Sequence, residues 1–521
     1  MKVWFAPGKG EVELPSSVEK WLNKMDVLIF SNYDKYDCDP SKIKKIRTTS
    51  HLPGIHLGEP LASSLNLTEE MIDECIVSSK PDLIVVNAAA SYAYFLLQHK
   101  WTRHPQLKDI PIILLFSKSN ISHFSDHGSY RFPLYWVRQT EKFCLAASDC
   151  VVVWDEDAAK IARCYVKEDA LCDLSSGNLF DHCVEKLGVN STYSKIFPSP
   201  NHNLPYSKPA IQVGGTKGML SIIIPFYNLG QYLVETLQSI FDSQYEHYEI
   251  LIINDGSDEE MSIELMSQLK EKYSSIRIID IENQGLANAR NVGAHAAQGE
   301  YITFLDADDL VSPEYYARSI DLLECYSNVS FIYSWVQYFG KRDDIWVTYN
   351  AEFPYLLLTN MLAAFPVIRK SDFISFGLNK LQMDKGMEDY EAWISMCEAG
   401  CIGISIPSPL VSYRIRTDSM SRKFDREIVV ELYKKITIEH PELFNKYGAE
   451  LYNLVYANGP GYLWNNPTLE YPDLVFSTHS EIIDTQDRNQ MKYELMRIVN
   501  SNTGKKLLSL FFKLKLHKLF R

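Results

Sequence analysis

The sequence predicts an α/β protein built from two strand-and-helix series and followed by a helical C-terminal region. Short β-branched runs alternate with helical stretches in two separate parts of the chain, the pattern that produces parallel sheets. A stretch rich in Pro, Ser and Asn, FPSPNHNLPYSKPAIQVGGTKG (197–218), parts the two series. In the second series polar residues gather just after the strands: Tyr227 and Asn228, then Asn254, Asp255 and Gly256, then Asp306 and Asp308.

The first series carries the runs VLIFSN (27–32), DLIVVNAA (82–89), IPIILLFS (110–117) and CVVVW (150–154), which predict a Rossmann-like α/β domain over 1–197. A linker over 198–218 comes next. The second series, 219–423, opens with MLSIIIPFYN, a buried strand expected to stop at Pro225. A helix over LGQYLVETLQSIFD precedes the strand EILIINDGS (249–257), and a further helix precedes IRIIDIENQG (276–285). The Ala-rich segment LANARNVGAHAAQGE (286–300) predicts a helix leading into the strand YITFLDA. Open α/β sheets place ligands at the carboxyl ends of their strands, so the polar residues there should converge on one crevice. Residues 424–521 predict mostly helix.

Composition narrows the function. With 46% hydrophobic and 23% charged residues the 521-residue chain is an ordinary globular protein, and its net charge of −14 argues against general nucleic-acid binding. The ten cysteines contain no CxxC pair, which fits a reduced, cytoplasmic setting. The start, MKVWFAPGKG, reads as neither signal peptide nor membrane span, and no apolar run reaches the ~18 residues of a transmembrane helix.

The stretch YITFLDADDLVSPEYY crowds Asp306, Asp308 and Asp309 together, where like charges raise one another's pKa. Either a cation compensates for them, or they form a plain acidic turn before a helix capped by Ser312 and opened by Pro313. An aromatic ring at Tyr227, a carboxylate at Asp255 and an Asp-x-Asp pair suit a nucleotide bearing a diphosphate. The ring stacks on a base, Asp255 accepts from a uracil or ribose, and the pair offers hard oxygens to Mg²⁺ or Mn²⁺. Gly285 and Arg290 precede the pair, and Arg290 suits either base or phosphate.

The segments SIIIPFYN, LIINDGSDE, ENQGLANARNVGAHAAQGEYITFLDADD and GMEDYEAW, in this order over 219–422, resemble the inverting family-two glycosyltransferases, which share the GT-A nucleotide-diphospho-sugar transferase fold. The resemblance implies that Pro225, Tyr227, Asp255 and Arg290 contact the uridine, with Asn228, Gly256 and Gly285 in the same donor crevice. It gives Asp306 to the ribose or the metal, Asp308 to the divalent cation as principal ligand, and Asp309 to their support. Asp389 becomes the catalytic base and Glu388 orients the acceptor or the loop, although acids at a helix start also complement its dipole. Many relatives carry a His where YRIRTDSMS has Arg416; this guanidinium, with Arg414, suits a diphosphate and implies weaker metal dependence, unless it is only a solvated basic loop.

The implied reaction moves one sugar, hexosyl or N-acetylhexosaminyl, from a UDP-sugar to a glycan, lipid-linked or protein acceptor. No Q-x-x-R-W follows the Glu-Asp pair, so a processive synthase is not expected. Three alternatives stand beside it. Nucleotidyl transfer wants a Gly-rich basic loop that PFYNLGQYL lacks, a non-catalytic sugar-nucleotide-binding scaffold is favoured only by Arg416, and a bifunctional enzyme would need a second transferase in 1–197. That first block faintly resembles the acceptor half of GT-B enzymes in KPDLIVVNAAASYAYF and EKFCLAASDCVVVW, which suggests an accessory domain, with His123, His127 and Glu141 its notable polar residues. In the tail Leu507, Leu510, Phe511 and Leu514 repeat at helical spacing among lysines, which suits an anionic membrane surface, a neighbouring domain or a second subunit.

Overall fold

The structure, a computed structural model, describes residues 1–7, 14–31, 39–52, 54–55, 57, 61–87, 91–117, 134–176, 180–187, 195–200, 213–416 and 425–458. These residues fall within one compact unit. His123, His127 and the basic amphipathic tail lie outside the described residues.

Two sheets are found, and the class is the α/β arrangement expected. The first has seven strands in the order β3-β2-β1-β4-β5-β6-β7, all parallel. They are β1 (Lys2–Ala6), β2 (Asp26–Phe30), β3 (Ile43–Lys44), β4 (Leu83–Asn87), β5 (Ile112–Leu115), β6 (Cys150–Val153) and β7 (Leu171–Asp173). Its helices are α1 (Ser16–Leu22), α2 (Leu61–Val77), α3 (Tyr94–Trp101), α4 (Leu134–Ala147), α5 (Glu156–Ala162) and α6 (Phe180–Leu187). One interior strand, β1, is KVWFA, which its sequence does not announce because it is short and sits at the chain start. Cys172 on β7 is disulfide-bonded, whereas Cys75, Cys144, Cys150, Cys164, Cys325, Cys397 and Cys401 form no disulfide. The expectation of uniformly reduced thiols therefore fails at Cys172.

The second sheet runs β10-β9-β8-β11-β15-β13-β16-β12, with β14 (Ile345–Trp346) beside β13. Strands β8 (Thr216–Phe226), β9 (Tyr248–Asp255), β10 (Ile276–Ile281) and β11 (Gly299–Phe304) are parallel, and β15 (Val367–Arg369) joins β11 antiparallel. The long strands β13 (Val329–Gly340) and β16 (Ile402–Ile415) follow, with β12 (Leu310–Val311) at the edge. Helices α7 (Gly230–Phe241), α8 (Glu260–Lys272), α9 (Leu286–Ala296) and α10 (Tyr315–Cys325) cover the sheet, and α11 (Glu388–Glu398) follows later. The helices α12 (Arg426–Glu439) and α13 (Pro441–Asn458) open the predicted helical region.

Local chemistry explains the layout. The run SIIIPF is buried throughout, as a strand covered on both faces must be. Helix α9 lies close against it because Gly293 meets Ile223, whose Cγ2 would stand 2.3 Å from an added Cβ. Two expectations are corrected. Strand β8 does not stop at Pro225; it carries Pro225 opposite Ile253 and ends one residue later, at Phe226. The helix after the acidic turn starts at Tyr315 rather than at Pro313, because Leu310, Val311 and the Ser312 N–H are first taken into the ladder with β16.

The two sheets share a core. Helix α3 sets Phe95 against Trp335 with ring centroids 5.4 Å apart, and Tyr94 against Tyr349. Between them lies a buried polar knot: Gln98 Nε2 donates to Asn350 Oδ1 at 2.8 Å and to the Ser405 carbonyl at 2.6 Å. Asn350 Oδ1 also accepts from the Ser405 N–H, and Gln139 donates to the Asn350 carbonyl. A buried amide left unpaired costs about 1–3 kcal/mol. Gln98→Ala is therefore expected to lower stability by roughly that amount in urea denaturation, with probes on both sheets reporting a single coincident transition.

Candidate active site

The loops at the carboxyl ends of β8, β9 and β11 meet, as the parallel order requires. Tyr227, just past β8, is 44% exposed and presents an open aromatic face, while Pro225 is buried within the strand. Asn228 holds a positive φ of 51°, and its Oδ1 accepts from the N–H groups of Asp258 and Glu259 at 3.1 and 3.0 Å. Its side chain thus anchors the start of α8.

Asp255 ends β9 and is buried. Its two oxygens accept the N–H groups of Gln284 and Gly285, each at 2.9 Å, which ties β9 to the start of α9. Gly256 and Gly285 take φ of 68° and 90°, values that a side chain would strain. This carboxylate therefore shapes the crevice as well as lining it.

Arg290, on the first turns of α9, joins the two acidic groups of the site. Its Nη2 lies 2.9 Å from Asp306 Oδ1 and its Nη1 2.6 Å from Glu388 Oε1, with the guanidinium only 3% exposed. Burial alone would depress its pKa; Asp306, Glu388 and Asp389 outweigh that and hold it firmly charged. Asn291, the next residue, exchanges two hydrogen bonds with the Asn379 backbone, and Asn379 Nδ2 donates to the Glu388 carbonyl. Gly386 and Met387 then turn the chain with positive φ of 124° and 58°, so that Glu388 and Asp389 start α11 facing the acidic turn. Asp389 stays partly exposed. Burial raises its pKa, against the pull of Arg290, the Tyr390 N–H and Asn360; burial likewise raises Glu388, with Arg290 opposing.

The turn after β11 divides its carboxylates among different partners. Asp306 is partly open and pairs with Arg290. Asp309 is buried, its Oδ1 accepting the Arg414 N–H at 2.7 Å, and its Oδ2 has no partner among the described residues. Burial, then the neighbouring Asp308 and Asp306, push its pKa well up, and its bond to the Arg414 N–H fixes β16 to the turn. Asp308 is also buried. Its Oδ2 lies 2.6 Å from Arg416 Nε, an ionic contact out of line for a straight hydrogen bond. Arg414 Nε donates to the Asp308 carbonyl at 2.9 Å and its Nη2 to Glu235 at 2.5 Å. Both guanidiniums lie by the Tyr232 ring, at 4.9 and 5.2 Å.

The donor set for a divalent cation is tested by this arrangement. The resemblance gives Asp308 to Mg²⁺ or Mn²⁺, but a fixed positive charge already sits on its carboxylate, and Asp306 is held by Arg290. A divalent ion at Asp308 would stand beside like charge, so these residues do not fit the expected metal site.

Residues 221–384 match the profile described as Glycosyl transferase family 2. Over these residues the chain is similar to that family. The matched span ends four residues before Glu388. An uncharacterized glycosyltransferase of Haemophilus influenzae is 27% identical over 252 residues, covering 45% of this chain and 76% of that protein. An uncharacterized glycosyltransferase of Rickettsia bellii is 30% identical over 209 residues, but the chain covers only 29% of its length. Among solved structures, S. aureus TarS 1–349 in complex with UDP-GlcNAc aligns at 18% identity and a TM-score of 0.35, over 42% of this chain and 66% of that one. GalNAc-T7 with UDP, GalNAc and Mn²⁺ aligns at 19% identity and a TM-score of 0.35, over 42% and 47% of the two chains. Likenesses this low carry no argument about the site.

The sequence singles out the acids and arginines of this candidate site but not Tyr232 and Glu235 on α7, which have no motif of their own. It also missed His440, at the end of α12. This ring is buried between two carboxylates of α11, with Nε2 3.1 Å from Glu391 Oε1 and Nδ1 2.7 Å from Glu398 Oε2. Burial opposes its charge; the hydrogen bonds to Glu391 and Glu398 prevail and raise its pKa.

Two outcomes follow from these contacts. Arg290→Met leaves Asp306 and Glu388 without their shared cation and is expected to cost about 3–5 kcal/mol in urea denaturation, part of which Glu388→Gln in the same chain recovers. A folded-state pKa above the unfolded His value of about 6.5 means that the His440 clamp stabilises fully below that pH and fades as pH rises through the higher, folded value. The stability difference between wild type and His440→Gln should therefore be largest in mild acid and shrink towards alkaline pH.

Proposed function

We propose that this family-two domain transfers a single sugar from a UDP-sugar to a glycan, lipid-linked or protein acceptor with inversion at the anomeric carbon, Asp389 acting as base. The observation that carries this is the bridge from Asp306 through Arg290 to Glu388, which brings the start of α11 to the acidic turn at the strand ends. A base beside the donor crevice is what direct displacement requires.

In this mechanism Tyr227 stacks on the uracil, and Asp306, partly open, meets the ribose. Asp389 accepts the proton of the acceptor hydroxyl. The acceptor oxygen forms its bond to the anomeric carbon from the face opposite the diphosphate, while the bond from that carbon to the β-phosphate oxygen breaks. Negative charge grows on the departing UDP, and cationic side chains at the crevice stabilise it. The raised pKa of Asp389 favours proton acceptance, since a base nearer neutrality holds the proton better in the transition state. Glu388, tied to Arg290, orients the helix start rather than moving a proton.

The test is UDP release from a panel of UDP-sugars, with and without candidate acceptors. Turnover supported by one donor should fall by about 10²–10⁴-fold in Asp389→Asn while UDP still binds. A variant as active as wild type would remove Asp389 from the chemistry. UDP binding without turnover of any donor would favour the scaffold reading, for which the Arg416 contact on Asp308 is the specific support.

A further inference from the structure

We infer that Arg416 is the resident cation for the donor diphosphate, so that this protein grips a nucleoside diphosphate without a divalent ion. The inference rests on the UDP-sugar reading above and deepens it.

Asp308 needs a cation beside it. A carboxylate at 7% exposure, next in sequence to Asp309 and close to Asp306, carries a charge whose burial is costly unless a cation meets it. The cation that meets it belongs to the chain: Arg416 Nε at 2.6 Å from Oδ2. The guanidinium is placed rather than loose. It is 15% exposed, lies 5.2 Å from the Tyr232 ring centroid, and follows two residues after Arg414, whose N–H is held by Asp309. Arg416 thus leaves the end of β16 at a fixed point beside the acidic turn.

A guanidinium in this position can do what a divalent ion does for a diphosphate, by different means. It has five N–H donors in a planar fork that matches two phosphate oxygens, and one edge of that fork is turned to Asp308. It stays charged at every working pH. Arg414 adds a second fixed positive charge within the same cluster, by the same ring. The arrangement also explains why the site can dispense with the metal: an ion that took Asp308 would have to displace Arg416 or face its charge. A merely structural role predicts otherwise. If Arg416 only neutralises buried Asp308, its loss weakens the fold and leaves nucleotide affinity unchanged.

UDP binding measured by titration calorimetry on the full chain separates these cases. Wild type should bind UDP as well in EDTA as in Mn²⁺. Arg416→Ala should bind about 10- to 100-fold more weakly in EDTA, the size of one or two charge-assisted hydrogen bonds. Added Mn²⁺ should recover part of that loss, because Asp308 is then open to it. Arg416→His, which sets an imidazole beside Asp308, should bind UDP only with Mn²⁺. Circular dichroism checks that each variant is folded, and if Arg416→Ala is not, the wild-type comparison in EDTA and Mn²⁺ and the Arg416→His titration decide. Wild-type binding that requires Mn²⁺, or EDTA binding by folded Arg416→Ala equal to wild type, overturns the inference while leaving the UDP-sugar reading intact. No UDP binding under either condition overturns both.

Discussion

One buried guanidinium holds the site together. Arg290 spends its two terminal nitrogens on carboxylates that lie 82 positions apart in the chain, Asp306 at the end of β11 and Glu388 at the start of α11. Buried Glu388 would not be tolerable there alone, since an isolated buried charge costs several kcal/mol. The pairing therefore fixes the distance between the donor turn and the helix that carries Asp389. Everything on either side is arranged to keep that distance: Asp255 anchors the start of α9 through two backbone N–H groups, and Asn291 pins the 379 loop in the next position along the same helix.

The same logic of paired charge distinguishes acids that look alike in sequence. Asp306, Asp308 and Asp309 fall within four residues, yet their surroundings give them three different tasks. Asp306 keeps an open side and an arginine behind it. Asp308 is covered and meets a guanidinium from β16. Asp309 receives one backbone N–H and no cation, so burial drives it towards the neutral form, in which it can remain inside without cost to its neighbours. Each acid thus meets its own partner, Arg290, Arg416 or the Arg414 N–H, and this is how three carboxylates coexist in one turn.

These differences mark the boundary of what the sequence discloses. The strands of the second series are legible because they are continuous apolar runs that end in Asn, Asp or Gly, and the acidic turn and Glu388–Asp389 are legible as motifs. The helix start after the turn is not, because Ser312 and Pro313 look like a cap and first turn while Ser312 is claimed by a ladder with a strand about 100 residues later. Nor is the short edge of the first sheet: β3 and β7 have two and three residues, too few to show a period. His440 could not have been found either, since its carboxylates stand 49 and 42 positions before it and nothing in EHPEL announces a clamp. Arg416 was visible as a residue out of place, but only coordinates show that it lies on Asp308.

The first sheet bears on the chemistry through β13 and β16. Arg414 lies at the end of the 14-residue β16 and Arg416 just past it, and a side chain proposed to grip phosphate needs a strand that does not swing. Near its beginning β16 is held by the Ser405 N–H to Asn350 and by the Ser405 carbonyl to Gln98 of α3. Trp335 packs against Phe95 of α3, and Tyr333, Ile404 and Ile406 lie within the same shared core. Taken off, the first sheet would leave those residues as an exposed apolar patch and the polar knot half paired. Helix α3 and part of α4 are thereby committed to packing on the second sheet, which is what a brace requires. The brace and the site are then two ends of one element: the stiffness supplied at Ser405 is delivered at Arg414 and Arg416, beside the turn where the donor diphosphate is proposed to sit.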